Sequence, residues 1–426
     1  MFGNFARRSL GRAGPPLRRA AGVQVGAHPG AYPGAFRGKS REAGGRVRAA
    51  VSQPLLSEAL QQVARAVPSH SAIPILYGIH LRLHRDGITL VASNSVMTIR
   101  TELCRSDTGA STAPIPDEGP SLVVPARYFI DIVRKLTSGP VLLELEDRKT
   151  LTVRSGDGLF RLFGLDPFLF PETPRMDRAK WQLTLSNELL KSMIRQVAFA
   201  ASSSEARPLL SGVLCRYDGR HLRLVATDSV RFASRTSPVD QPFGADAYEA
   251  VIPGKSLSEL GKMLDEQGET TIVADDAHIR FQTASMSLYC SLIHGAYPPI
   301  DKLVPSSSIA DVTVDTKSVL QAIERVTLLS GEGSVVRLRT NPQQAIELIS
   351  GTTEIGDVRE EVRTESMLGQ PVAVSFNGKY MIDILRAVSS ASVTFRFSDK
   401  LGPIVAVPVE QGPSSLYLLT PIRTAL

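Results

Sequence analysis

Apolar and polar positions follow two alternating periods along the chain, and the whole sequence of periods comes round three times. The runs "SQPLLSEALQQVARAV" from Ser52, "SNELLKSMIRQVAFAA" from Ser186 and "TKSVLQAIERVTLLS" from Thr316 place apolar residues at helical spacing. Each opens on Ser or Thr, whose side-chain oxygen can accept a first-turn N–H, so each predicts a capped helix. Stretches of period two follow: "GIHLRLHRDGITLVASNSVMTIRTEL", "GVLCRYDGRHLRLVATDSVRFASRT" and "SVVRLRTNPQQAIELISGTTEIGDVREEV". They predict hairpins turning at Asp86-Gly87, Asp218-Gly219 and Asn341-Pro342. A second helical run comes next: "VPARYFIDIVRKL", "IPGKSLSELGKML" and "FNGKYMIDILRAV". Strands then close each unit: "VLLELEDRKTLTVRSGDGLFRLFGL", "TTIVADDAHIRFQTASMSLYCSLI" and "SVTFRFSDKLGPIVAVPVEQGPSSLYLLTPIRT".

A repeat on this scale decides the fold. We expect an α+β protein of three tandem domains, 50–177, 178–306 and 307–426, separated at "FPETPRMDRAK" and "YPPIDKLVPSSS". Each holds two helices and about eight strands, with sheet on one side and helices on the other. A length of 426 residues agrees with three domains, and 43% hydrophobic with 21% charged residues is a soluble globular composition. No apolar run approaches the roughly 18 residues a membrane helix needs. The three cysteines, Cys104, Cys215 and Cys290, lie far apart with no CxxC pair, which predicts buried reduced thiols.

The net charge of +6 changes meaning when it is divided along the chain. Residues 1–49 hold nine Arg, Lys39 and the single acid Glu42, a formal +9 that leaves −3 for the remainder. This Gly-, Ala-, Pro- and Arg-rich stretch has no lasting apolar period and reads as a disordered basic leader. Inert leader, targeting segment and polyanion-binding arm are all open readings of it, and a start near Val47 or Val51 would suit the first domain better. The body is mildly acidic, so only the placement of its cations can argue for nucleic acid.

That placement repeats. Arg127 and Arg134, Lys255 and Lys262, and Lys379 and Arg386 stand seven apart in the second helix of each unit. Residues seven apart share a helix face, so each unit carries a basic strip, with Phe129, Ile130, Ile132 and Val133 forming the buried face of the first copy. The first helices add Arg195 and Arg325 at matching places, with Gln61 in the first copy and Arg65 four residues on. One such face is an ordinary solvated surface; three in register point to phosphate contact, since no interleaved aromatics are present to read bases.

The runs "IPILYGI" (73–79), "RPLLSGV" (207–213), "VATDSVR" (225–231), "VIPGKSLSEL" (251–260), "EIGDVREEV" (355–363) and "LLTPIRT" (418–424) resemble the bacterial sliding-clamp family, the beta subunit of DNA polymerase III. The resemblance covers residues 51–426. It implies a head-to-tail homodimeric ring of six clamp domains, helices inside and antiparallel sheets outside, around double-stranded DNA. On this reading the DNA-facing residues are Arg65, Arg127, Arg134, Arg195, Arg207, Lys255, Lys262, Arg325, Lys379 and Arg386. It also implies a groove for peptide tails of the polymerase III alpha subunit, the clamp loader and other clamp-motif proteins. Its wall would be Thr227, Ser229, Val230, Arg231, Phe232, Pro305, Tyr380, Met381, Leu418, Thr420, Pro421, Ile422 and Arg423. Ring closure would bring Leu328 and Leu329 against Phe160 of a second copy; helix core is the plain alternative for the two leucines. Val230 and Phe232 stand where the family usually has His and Leu, and His70 where it commonly has Arg. The resemblance implies a cytoplasmic, nucleoid-associated bacterial processivity factor without cofactor or catalytic activity.

Enzyme signals are weak beside this. "VIPGKS" lacks the GxxxxGK[ST] spacing of a phosphate loop, and GxSxG and HExxH motifs are missing. His80 and His84 fall in a period-two stretch, which opposes a helical metal pair. A specialised paralogous clamp, a monomeric peptide-binding scaffold and an enzyme on duplicated units remain open on the sequence alone.

Overall fold

The computed structural model describes residues 47–423 apart from 105–107, 110–118, 147–148, 178, 205, 240–246, 301–302, 353–354, 399–401 and 410–414. The described residues all belong to one compact unit. Six α-helices are described: α1 Gln53–Ala64, α2 Ala126–Lys135, α3 Asn187–Val197, α4 Gly254–Met263, α5 Thr316–Thr327 and α6 Gly378–Ala387. They pack in pairs, α1 on α2, α3 on α4 and α5 on α6. Leu56, Ala59, Leu60 and Val63 form the buried stripe of α1, the spacing of one helix face. In α2 only Ala126, Phe129 and Val133 are buried, while Ile130 and Ile132, expected inside, are half-buried.

The helix starts hold a correction. Ser186 caps α3 by accepting the Leu189 N–H at 3.3 Å, as expected. Ser52 precedes α1 without a side-chain cap bond. The cap of α5 is Asp315, which accepts the Ser318 N–H at 2.8 Å, so Thr316 is already helical. Counted from the first helical residue, Gln61, Arg195 and Glu324 share the ninth place, and Gln62, Gln196 and Arg325 the tenth. Arg325 therefore does not match Arg195; a one-residue shift turns it by about 100° on the helix.

Four sheets cover the helices. Two of them cross domain junctions. Met97–Cys104 of the first domain pairs antiparallel with Met286–Ser291 of the second, Met97 opposite Cys290. Arg231–Pro238 of the second pairs antiparallel with Ser415–Leu419 of the third, Arg231 opposite Leu419. The resulting sheets have eight and nine strands. The other two end open: a five-stranded sheet on Gly158–Phe163 and a four-stranded sheet on Gly356–Arg363.

The first domain also starts earlier than its sequence suggests. Val47–Ser52 is a strand paired with Pro140–Glu146, Val47 opposite Leu145. Arg48 Nε lies 2.8 Å from the buried Glu144 carboxylate. Val47–Ala49, read as leader, thus belong to the domain, because the strand supplies partners that the local composition hides. Residues 1–46 of the expected leader lie outside the described residues.

One core cluster of helix and inner sheet residues runs through all three domains. Two smaller clusters lie on the other side of the junction-crossing sheets. Cys215 and Cys290 are buried, which pushes each thiol up to about 12, whereas Cys104 is exposed against expectation. No described helix is long and apolar enough to cross a membrane.

Candidate nucleic-acid interface and partner groove

Each second helix puts its first cation at the second place (Arg127, Lys255, Lys379) and its other at the ninth (Arg134, Lys262, Arg386). Register and helix bounds thus agree across the three copies. All ten expected DNA-facing side chains are exposed. Their surroundings differ. Arg134 is held at 2.8 Å by Asp131, Lys262 at 2.7 Å by Glu259 and Arg386 at 2.7 Å by Glu324. Arg65 reaches across the first junction to Glu259 at 2.8 Å, and Arg325 pairs with Glu360. Arg207 donates to the Ser229 hydroxyl at 2.9 Å. Arg127, Arg195, Lys255 and Lys379 make no ion pair among the described residues.

The sequence reading missed a repeated acid between the cations. Asp131, Glu259 and Asp383 share the sixth place of the second helices. Burial pushes the Glu259 carboxyl up, but hydrogen bonds from Lys262 and Arg65 outweigh it and hold the group below its usual range. The acid could have been read from the three aligned runs, as the cations were.

The expected groove residues divide between two faces of one sheet. Phe232 and Leu418 are buried with Leu214, Val225, Val251, Ile300 and Val405, edged by Leu209, Tyr297, Val304 and Leu416. Here lie the apolar floor and its walls. Val230, Ser229 and Thr420 are exposed at the rim, where the Thr420 N–H donates to the Val230 carbonyl at 2.8 Å. Thr227 is buried and donates to the Arg231 carbonyl at 2.8 Å. Pro421 and Ile422 are half-buried and Arg423 is exposed. A cavity of about 210 Å³ adjoins the floor, lined by Val304, Pro305, Asp311, Arg396, Val405 and Leu416.

Arg231, Tyr380 and Met381 do not belong with these. Met381 is buried in the main core, and Tyr380 packs against that core. Arg231 lies over the Tyr380 ring at 4.6 Å and pairs with Asp228 at 3.0 Å and Asp383 at 2.5 Å. The cause is strand alternation: Arg231 and Phe232 are neighbours, so they point to opposite sides. Arg231 ties the second domain to α6 instead of lining the groove.

The open edges expose what the junctions bury. Phe160 stands opposite Val153, as Leu288 stands opposite Phe281 and Tyr417 opposite Ala406. Leu288 and Tyr417 are fully buried, whereas Phe160 is 37% exposed. Arg65, Phe199 and Leu328 share the thirteenth place counted from the helix starts. Arg65 meets Glu259 of the next domain, and Phe199 meets Tyr417 of the next at 6.2 Å. Leu328, which has no next domain, is 82% exposed, and Leu329 is half-buried. Leu328 is not helix core.

His70 is exposed. His80 lies in a strand and stands 5.5 Å from the Phe170 ring; burial, aided by Arg82, lowers its pKa to about 4. No cluster of metal-ligating side chains occurs among the described residues.

Three copies of a two-helix, antiparallel-sheet domain with a cationic helix face, and one apolar cleft on the opposite side at the second junction, define the architecture of a sliding clamp. Family models of the DNA polymerase III beta subunit match throughout: the N-terminal domain over 49–174, the central domain over 184–299 and the C-terminal domain over 301–423. The chain belongs to the DNA polymerase III beta subunit family, the bacterial sliding clamps. It is 34% identical to the beta sliding clamp of Bacillus subtilis over 382 residues, covering 89% of this chain and 100% of the relative. It is 35% identical to that of Halalkalibacterium halodurans over 378 residues, covering 88% and 99%. The crystal structure of the Bacillus subtilis DNA polymerase sliding clamp superposes with a TM-score of 0.81 at 34% identity over 89% of this chain and 100% of the other. The beta subunit from DNA polymerase of Streptococcus pyogenes gives 0.81 at 28% identity over 88% and 100%.

Proposed function

We propose that two copies close head to tail into a ring around double-stranded DNA and tether the replicative polymerase to it, a processivity factor without catalysis of its own. The observation that carries this reading is the unfinished repeat. Two junctions inside the chain bury the closing-strand residues Leu288 and Tyr417, and the third closing strand leaves Phe160 open. A second copy placed by the same operation sets Gly158–Phe163 beside Gly356–Arg363 and covers Phe160 and Leu328. A ring of two copies requires the same contact to form at both ends, which is the condition for closure. Exposed cations on the helix face supply sequence-blind attraction to phosphates, and encirclement supplies persistence.

Phe232, Leu418, Val230, Thr420 and Ile422 form the groove in this reading, taking apolar peptide tails of the polymerase III alpha subunit and the clamp loader. Domain limits of 50–177, 178–306 and 307–426, the first extended to Val47, and a cytoplasmic, nucleoid-associated location go with it. The test is retention on circular against linear DNA after loading. A ring stays on closed circles and runs off linear ends. Leu328→Glu with Phe160→Glu should give a monomer by light scattering and no retention; a dimer retained on circles despite both changes sinks this assignment of the interface.

A further inference from the structure

We infer that the cationic face of the second helices is divided into two latitudes, and that of the two cations on each second helix only the one at the second place contacts DNA phosphates. The inference rests on the proposed encirclement and goes beyond it by separating cations that the sequence presents as equivalent. Arg127, Lys255 and Lys379 make no ion pair among the described residues. Arg134, Lys262 and Arg386, seven residues on, are each held by a carboxylate within 2.8 Å. The three carboxylates come from different places: Asp131 and Glu259 from the same helix as their cation, Glu324 from α5. The same outcome is thus reached by two constructions.

Position along the helix acts in the same direction. Arg134, Lys262 and Arg386 sit in the last turn, where a cation meets the negative end of the helix dipole. There they stabilise the helix and gain little from a phosphate that must displace a carboxylate. The second-place cations sit in first turns that hold no acid. The acids four residues on, Asp131, Glu259 and Asp383, pair instead with Arg134, Lys262 and Arg231. The two latitudes are separated by about 10 Å along the helix, at a rise of 1.5 Å per residue. One band of six unpaired cations per ring would therefore track the backbone, while the braced band keeps the surface weakly held.

The test is the salt dependence of equilibrium binding to a short duplex, measured across a potassium chloride series on three variants. Arg127→Ala with Lys255→Ala and Lys379→Ala should flatten the plot of log K against log salt by about 0.9 for each phosphate no longer neutralised. Arg134→Ala with Lys262→Ala and Arg386→Ala should leave that slope unchanged within error and lower the Tm. Asp131→Asn, which releases Arg134 without removing a cation, should steepen the slope. Equal flattening by the two triple variants, or an unchanged slope in the first, overturns the division. Retention of the unsubstituted protein on closed circular DNA is measured alongside; its loss removes the ring itself, whereas equal slopes with retention intact remove only the division.

Discussion

The two junctions inside the chain have one backbone and two chemistries. Ser95 and Ser229 occupy the same turn, 134 residues apart, at φ of 73° and 79°. Asn94 and Asp228 hold those turns alike, each accepting the N–H groups two and three residues on. Beside the turn at the second junction, Leu214 and Phe232 form a buried apolar floor. At the first junction the same offset puts His80 and Thr98 there. Only Ile75, Val91, Val123 and Phe170 remain as an apolar cluster. Duplication has kept the geometry, and one copy lacks the apolar floor. A docking cleft therefore needs more than the junction; it needs side chains that lower the free energy by leaving water.

The largest effect expected from this comparison is at the floor itself. Phe232→Ala should cost about 3–5 kcal/mol by leaving a cavity, and should abolish capture of an apolar peptide. Thr98→Ala, at the matching place, loses the hydrogen bond to Ser93 at 2.9 Å and should cost about 1 kcal/mol. Urea unfolding of both variants measures the pair. Similar costs would break the claim that only one junction is built on burial.

Next in size is acid sensitivity. The His80 pKa falls from 6.5 to about 4 on folding, so the unfolded chain takes up the proton first as pH drops. Stability is then full above pH 6.5 and declines toward pH 4, by about 3 kcal/mol at most. His80→Leu, which copies Leu214, should remove that part of the decline. Unfolding free energies at neutral and acid pH decide it; an unaltered difference between them would show that His80 is not the acid-labile group.

The smallest effect should be the same at both junctions. Ser95→Gly and Ser229→Gly each relieve a positive φ but add freedom to the unfolded chain, so each should change stability by about 0.5 kcal/mol or less, provided that Ser229→Gly is made with Arg207→Ala as its background, since Arg207 donates to the Ser229 hydroxyl. A difference between them larger than a few tenths in thermal melts would show that the turns are not equivalent.

Much of the protein was legible before any coordinates. The three units, the pairs of helices and the cations at constant spacing are local periods, and side chains three, four or seven apart on a helix declare their face directly. Local pattern failed where a neighbour decided. Thr316 reads as well as Asp315 for a cap, and the choice moved Arg325 to a different face. Arg231 and Met381 read as groove wall because they are near it in motif order, while alternation and the core assign them to the far side.

By itself, then, the sequence determined the repeat, the elements and which helix face carries charge, because those depend on interactions within a few residues. Tertiary structure alone decided that Arg386 and Arg65 are braced by Glu324 and Glu259, which sheet face is apolar and which edges stay open. Glu324 and Arg386 are 62 residues apart and Arg65 and Glu259 are 194 apart, distances over which no local period carries information.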